Sequence, residues 1–131
     1  MYSIFVSYKF EDNKYLEIIK KWGIEQRFGK EITITSEKED VRINGTDAIK
    51  RHLNQFLNGM AILLVLVGQD SHNRPWVDYE VNYALQHHKK IILVQIPKTN
   101  GGPPKMVKTR IVHPFDPNAI YKEIRNFYEE I

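Results

Sequence analysis

The stretch Met60-Ala61-Ile62-Leu63-Leu64-Val65-Leu66-Val67 is apolar at every position. A strand with one wet face alternates apolar with polar residues. One that is apolar throughout is buried on both faces, as at the centre of a parallel sheet. The run has eight residues, far short of the roughly 20 that span a bilayer. A second run, Ile91 to Ile96, apolar except at Gln95, follows after one helical pattern and reads as another central strand. That helix opens at Pro75, where a missing N–H costs nothing, and continues to about His88. Its apolar stripe is Val77, Val81, Ala84 and Leu85, with Trp76, Glu80 and Tyr83 on an adjoining face. Lys89 and Lys90 suit its C-terminal end.

The same reading extends in both directions. Before Met60, Thr46-Asp47 opens a helix with the stripe Ile49, Leu53, Phe56 and Leu57, closed by Asn58-Gly59. Ser36 to Gly45 is polar and carries the Asn44-Gly45 turn signal. Glu31 to Thr35 alternates with β-branched residues and reads as an edge strand. Tyr15, Ile18, Ile19 and Trp22 mark a first helix, capped by Asp12 or Asn13 and stopped at Gly23 or Gly29. Ser3 to Tyr8 is the first strand. After Ile96, Pro97 to Lys108 is a Gly/Pro-rich loop, Thr109 to Val112 a short edge strand, and Pro117-Asn118 precede a last helix. That helix carries Ile120, Ile124, Phe127, Tyr128 and Ile131.

Strands and helices therefore alternate. The expected class is α/β, a flavodoxin-like three-layer α/β/α arrangement with an open parallel sheet of four or five strands and helices on both faces. One domain over residues 1–131 is expected. Ligands of such sheets bind beyond the carboxyl ends of the strands. The loops 8–13, 36–45 and 68–74 are expected to gather there.

Composition narrows the function. The chain is 42% hydrophobic and 27% charged, too apolar to stay disordered. It has no cysteine, which excludes disulfides, thiolate metal sites and a cysteine nucleophile, and suits a reducing cytoplasm. Its 19 basic and 16 acidic residues leave a net charge of +3, spread along the sequence. A phosphate-bearing ligand is compatible with that balance; nucleic acid and membrane are not expected as partners. The N-terminus lacks the basic segment and cleavage site of a signal peptide, so a cytoplasmic location is expected.

Several familiar signals fail. No Gly-x-Gly-x-x-Gly follows the first strand, and there is no Gly-x-x-x-x-Gly-Lys-Ser/Thr loop. A flavin phosphate would meet Glu11 and Asp12 in the first loop, and a phospho-acceptor reading finds Asp70 placed late after Val67. His87 and His88 point about 100° apart on a helix and cannot chelate one metal together. His52 and His113 are isolated, and Gly101-Gly102-Pro103-Pro104 reads as a flexible connection. No metal site is expected.

What remains is Ser71-His72-Asn73-Arg74-Pro75-Trp76-Val77-Asp78-Tyr79-Glu80, just past the central strand. Trp76 and Glu80 stand at i and i+4 on one helix face. A carboxylate beside an indole is partly desolvated, which raises its pKa and strengthens its hydrogen bonds. The plainer reading makes Trp76 core and Glu80 a solvated acid paired with Arg74 or Lys50. Composition alone favours that plainer reading.

The motifs shift the balance. Val6-Ser7-Tyr8 with Phe10 and Asp12, then Gly68, Ser71 and Asn73-Arg74-Pro75-Trp76-Val77-Asp78-Tyr79-Glu80, resemble a bacterial TIR-like domain. The likeness is to the TIR proteins (ThsB-type) of Thoeris anti-phage defence, and it extends to about Ile96. The Trp-Val-x-Tyr-Glu element is the specific part. Glu39-Asp40 and Asn44-Gly45 depart from the Pro-Gly loop of receptor TIR domains, and the tail after Pro97 has no evident counterpart.

The resemblance implies NAD chemistry, with NAD as substrate and no cofactor. Glu80 matches the family's catalytic glutamate, which holds the nicotinamide-ribose hydroxyls while the glycosidic bond breaks. An oxocarbenium-like ribose forms, and a nearby carboxylate stabilises it. Pyridinium is already a cationic leaving group, so the reaction asks for neither a general acid nor a metal. The activity implied is that of an NAD nucleosidase or ADP-ribosyl cyclase. Its product, ADP-ribose or a cyclic isomer, would be sensed by a separate effector protein. Self-association is a further expectation. Tyr8 and Phe10 are candidates to stack a ring of the substrate. Ser7 either bonds the ligand or ends the strand. Ser71, Asn73 and Arg74 are candidate ribose or phosphate contacts; Trp76 is a support that orients Glu80. Asp40 and Arg42 lie in the loop that closes the family's site, without assigned roles. The competing expectation is a non-catalytic interaction module of the same fold, in which Glu80 and the first-strand corner form no common site.

Overall fold

A computed structural model describes residues 2–36, 46–69 and 75–130. β1 (Tyr2–Ser7) leads through a short 3-10 turn at Phe10–Asp12 into α1 (Asn13–Ile24). β2 (Ile32–Ser36), α2 (Thr46–Gly59), β3 (Ile62–Val67), α3 (Pro75–Gln86) and β4 (Lys90–Gln95) follow. β5 (Val112–His113) and α4 (Pro117–Glu130) complete the order.

The strands form one parallel sheet in the order β2-β1-β3-β4-β5. All six residues of β3 are buried, because two strands flank it and helices cover both its faces. Strand alternation sorts the core into two layers. Ile4 and Val6 of β1 and Leu64 and Leu66 of β3 pack with Leu16 and Ile19 of α1 and Ile120 and Ile124 of α4. Phe5, Leu63, Val65 and Val67 point the other way, toward Leu53 and Leu57 of α2 and Val77, Val81 and Ala84 of α3. The architecture is thus the α/β/α arrangement expected from the sequence.

The differences are local. The central strand begins at Ile62, after Met60 and Ala61 have turned into it. Within α1 it is Leu16 and Ile19 that are buried, whereas Ile18 is 36% exposed. The edge strand expected at 109–112 is shorter and starts three residues later, at Val112–His113. The 97–108 segment is not featureless: Lys105–Val107 make a 3-10 turn that buries Val107 against the α2/α3 layer. Among the described residues no helix is long and apolar enough to cross a membrane.

β1 is followed in space by β2 on one side and β3 on the other. The chain reverses its direction of travel across the sheet at the β1/β3 boundary. A crevice opens at such a switch point, beyond the carboxyl ends of those strands.

Candidate active site

β1 ends at the switch point with Ser7, whose side chain falls on the α2/α3 side of the sheet by alternation with Phe5. Ser7 and Glu80 are both fully buried, and they are the two buried polar residues among those described. The Ser7 hydroxyl donates to Glu80 Oε1 at 2.8 Å, joining positions 73 residues apart in sequence. Glu80 lies one turn from Val77 and Ala84, so it occupies the face of α3 that packs on the sheet. An acid on that face is an expensive choice for stability, because a buried carboxylate loses its water shell.

The rest of α3 is organised around α2. The Tyr79 hydroxyl donates to Asn54 Oδ1 at 2.8 Å and the Tyr83 hydroxyl to Asn58 Oδ1 at 3.5 Å. Trp76 is half-buried and stands edge-on to Tyr79, with ring centroids 5.9 Å apart. Asp78 carries one buried carboxylate oxygen, Oδ1, with no hydrogen-bond partner among the described residues.

The floor of the edge is backbone. A Cβ at Gly68 would lie 2.7 Å from Asp12 Oδ2, so the missing side chain makes room for that carboxylate. A Cβ at Gly101 would collide with the Gly68 carbonyl oxygen. The segment after β4 therefore crosses directly over the end of β3. Gln95 Nε2 holds it there, donating to the Val67 carbonyl at 2.9 Å and to Thr99 Oγ1 at 2.8 Å. Lys9 Nζ donates to the Gln69 carbonyl from the β1 side.

The sequence-derived candidates separate accordingly. Ser7 and Glu80 come together. Tyr8 is 5% exposed and belongs to the α1/α4 core layer, on the opposite face from Glu80. Phe10 is in the 3-10 turn, but its side chain lies outside the described set. Ser71, Asn73 and Arg74 lie outside the described residues, as do Asp40, Arg42 and Asp70. Sequence reasoning missed Gly101, Gln95 and Thr99 as parts of this edge. Gly101-Gly102 offered a signal, since glycine suits close backbone approach as well as a flexible connection.

A cleft of about 280 Å³ lies at the other end of β1, lined by Tyr2, Ile32, Tyr121, Arg125 and Tyr128 among others. Burial, followed by the neighbouring Tyr2, pushes the Tyr128 phenol up to about 12.

The family described as Thoeris protein ThsB, TIR-like domain, matches residues 5–101. The chain belongs to that family. One relative of this ThsB-type domain is ThsB1 of Bacillus cereus (strain MSX-D12), a protein named for cyclic ADP-D-ribose synthesis. The two are 34% identical over 80 residues, 60% of this chain. The match takes in 40% of that relative's own length. Among solved structures, the TIR domain of the Toll-related receptor TRR-2 from Hydra magnipapillata superposes with a TM-score of 0.63. It is 13% identical, and the match covers 99% of this chain and 98% of that one. The TIR domains of the activated Roq1 resistosome, which recognises the pathogen effector XopQ, give 0.58 at 15% identity. That match covers 99% of this chain and 72% of the other. At such identities these two structures establish the TIR fold alone. They also supply a fold counterpart for the tail after Pro97, where the sequence offered none.

Proposed function

We propose that this ThsB-type domain cleaves the nicotinamide glycosidic bond of NAD and makes a cyclic ADP-ribose-type signal in anti-phage defence. One observation carries the reading: a fully buried glutamate, joined to the end of β1 at the sheet's switch point. A solvated helix acid, as the interaction-module alternative requires, would not be drawn into the core against its desolvation cost. The name of the B. cereus relative supports the same chemistry.

The proposed step needs one carboxylate. The C1′–N bond breaks, and its electron pair leaves with nicotinamide, which departs neutral. The ribosyl cation that remains is stabilised by the Glu80 carboxylate, which also accepts hydrogen bonds from the ribose hydroxyls. Attack by an atom of the same molecule, with loss of a proton, gives a cyclic isomer; attack by water gives ADP-ribose. Asn73 and Arg74, which precede Pro75 in the sequence, are the proposed ribose or phosphate contacts, and Phe10 the proposed stacking residue. A separate effector protein in the cytoplasm is the proposed receiver of the product.

The test is incubation with NAD at dilute and concentrated, self-associated protein, with chromatography of the products. Nicotinamide release by the native chain and its loss in Glu80→Ala are expected. Equal release by both, or none from the native chain in any assembly state, would sink the reading.

A further inference from the structure

We propose that Ser7 is the positioning residue of Glu80: its hydroxyl fixes the carboxylate in the orientation that meets the substrate. The role in turnover rests on the NAD reading above; the pairing itself does not. Three observations converge on it. Ser7 is fully buried at a strand position whose neighbour on the same face is Phe5, so packing alone would favour an apolar residue. A buried hydroxyl requires an acceptor, and the one it has is Glu80 Oε1 at 2.8 Å. The Ser7 backbone is fixed, because it is the last residue of β1 paired with β3, opposite Val65.

The difference between the two side chains gives the pairing its direction. Glutamate has three side-chain torsions and serine has one before the hydroxyl. The helix fixes only the Cα of Glu80. Ser7 fixes the far end, so the carboxylate is held from both sides. The hydrogen bond also favours the ionised form, which is the form that stabilises a developing cation. The other ionisable groups nearby are not removed by changing Ser7. Lys9 is engaged with the Gln69 carbonyl, Asp12 lies against Gly68, and Asp78 and Tyr79 share α3.

Two readouts test this on the full chain. The first needs no activity: a pH titration of side-chain carboxyl carbons by NMR, with the Glu80 signal assigned by its loss in Glu80→Gln. Ser7→Ala should raise the Glu80 midpoint by about one to two pH units relative to the native chain. Ser7→Cys, a near-isosteric variant with a weak donor, should shift it in the same direction and serves if the alanine variant fails to fold. The second readout is turnover. Ser7→Ala should lower kcat for nicotinamide release about 10- to 100-fold with a much smaller change in KM, since the proposed base and phosphate contacts are untouched. A native midpoint in both Ser7 variants overturns the proposal, as does a loss that appears only in KM. A native chain inactive on NAD refutes the function proposed above, and the titration then decides Ser7 by itself.

Discussion

On the NAD reading proposed above, folding and chemistry make opposite demands on Glu80. Its place on α3, one turn from Val77 and Ala84, is a core position, and an apolar side chain there would avoid the desolvation of a carboxylate. A residue retained against stability is what a functional site produces. Glutamine separates the two demands. It keeps the shape and leaves an oxygen to accept from Ser7, but carries no charge. Glu80→Gln should therefore be as stable as the native chain or more stable, by up to about 1–2 kcal/mol. Its nicotinamide release should fall at least about 100-fold, since the charge proposed to face the ribosyl cation is gone. Calorimetry with the NAD assay checks both. A variant that is markedly less stable would mean that the charge holds the fold together.

At the scale of elements, strand alternation explains what the sequence made legible and what it hid. The apolar runs around Leu64 and Leu93 disclosed the central strands, because the six buried residues of β3 and the four buried residues of β4 are all apolar. Glu80 was visible from its spacing to Trp76 and from the family motif. Its partner was not, since a contact across 73 residues exists only once α3 is laid on β1. Period-two alternation did contain the placement of Tyr8: if Ser7 faces α3, Tyr8 faces α1 and α4. The segment after β4 was misjudged for a different reason. Glycine-rich sequence permits both slack and close approach, and only the packing of Gly101 on Gly68 decides between them. That contact makes a prediction about the element. Gly101→Ala must push the segment off the end of β3, at a cost of about 1–3 kcal/mol in urea unfolding. Gly102→Ala, where an added Cβ meets nothing within 4 Å, should stay close to native. Equal effects of the two substitutions would remove the crossing segment as a structural part of the edge.

Across the whole molecule, β1 separates two ends with different properties. Its six residues span roughly 17 Å at about 3.3 Å each, from Tyr2 at the aromatic cleft to Ser7 at Glu80. Perturbing the cleft should change stability and leave chemistry alone, and Tyr128 offers a clean perturbation. Its hydroxyl is buried with no hydrogen-bond partner among the described residues, and its ring stands 4.4 Å from that of Tyr2. The folded phenol ionises near 12, against 10.0 for the ordinary group. The folded state thus favours the protonated phenol. Its stabilising contribution is complete below pH 10 and is lost as pH rises from there toward 12. Tyr128→Phe removes both the orphaned hydroxyl and that titration. At pH 8 the variant should equal or exceed the native chain by up to about 1 kcal/mol. Between pH 10 and 11.5 its advantage should widen, because the native chain alone carries the shifted phenol. Other tyrosines and lysines titrate in the same range, so the quantity to measure is the difference between the two urea midpoints at each pH. Curves that stay parallel would show that the Tyr128 environment does not distinguish folded from unfolded phenol. Nicotinamide release by Tyr128→Phe should remain within about twofold of native, because the substitution lies a strand's length from the carboxylate.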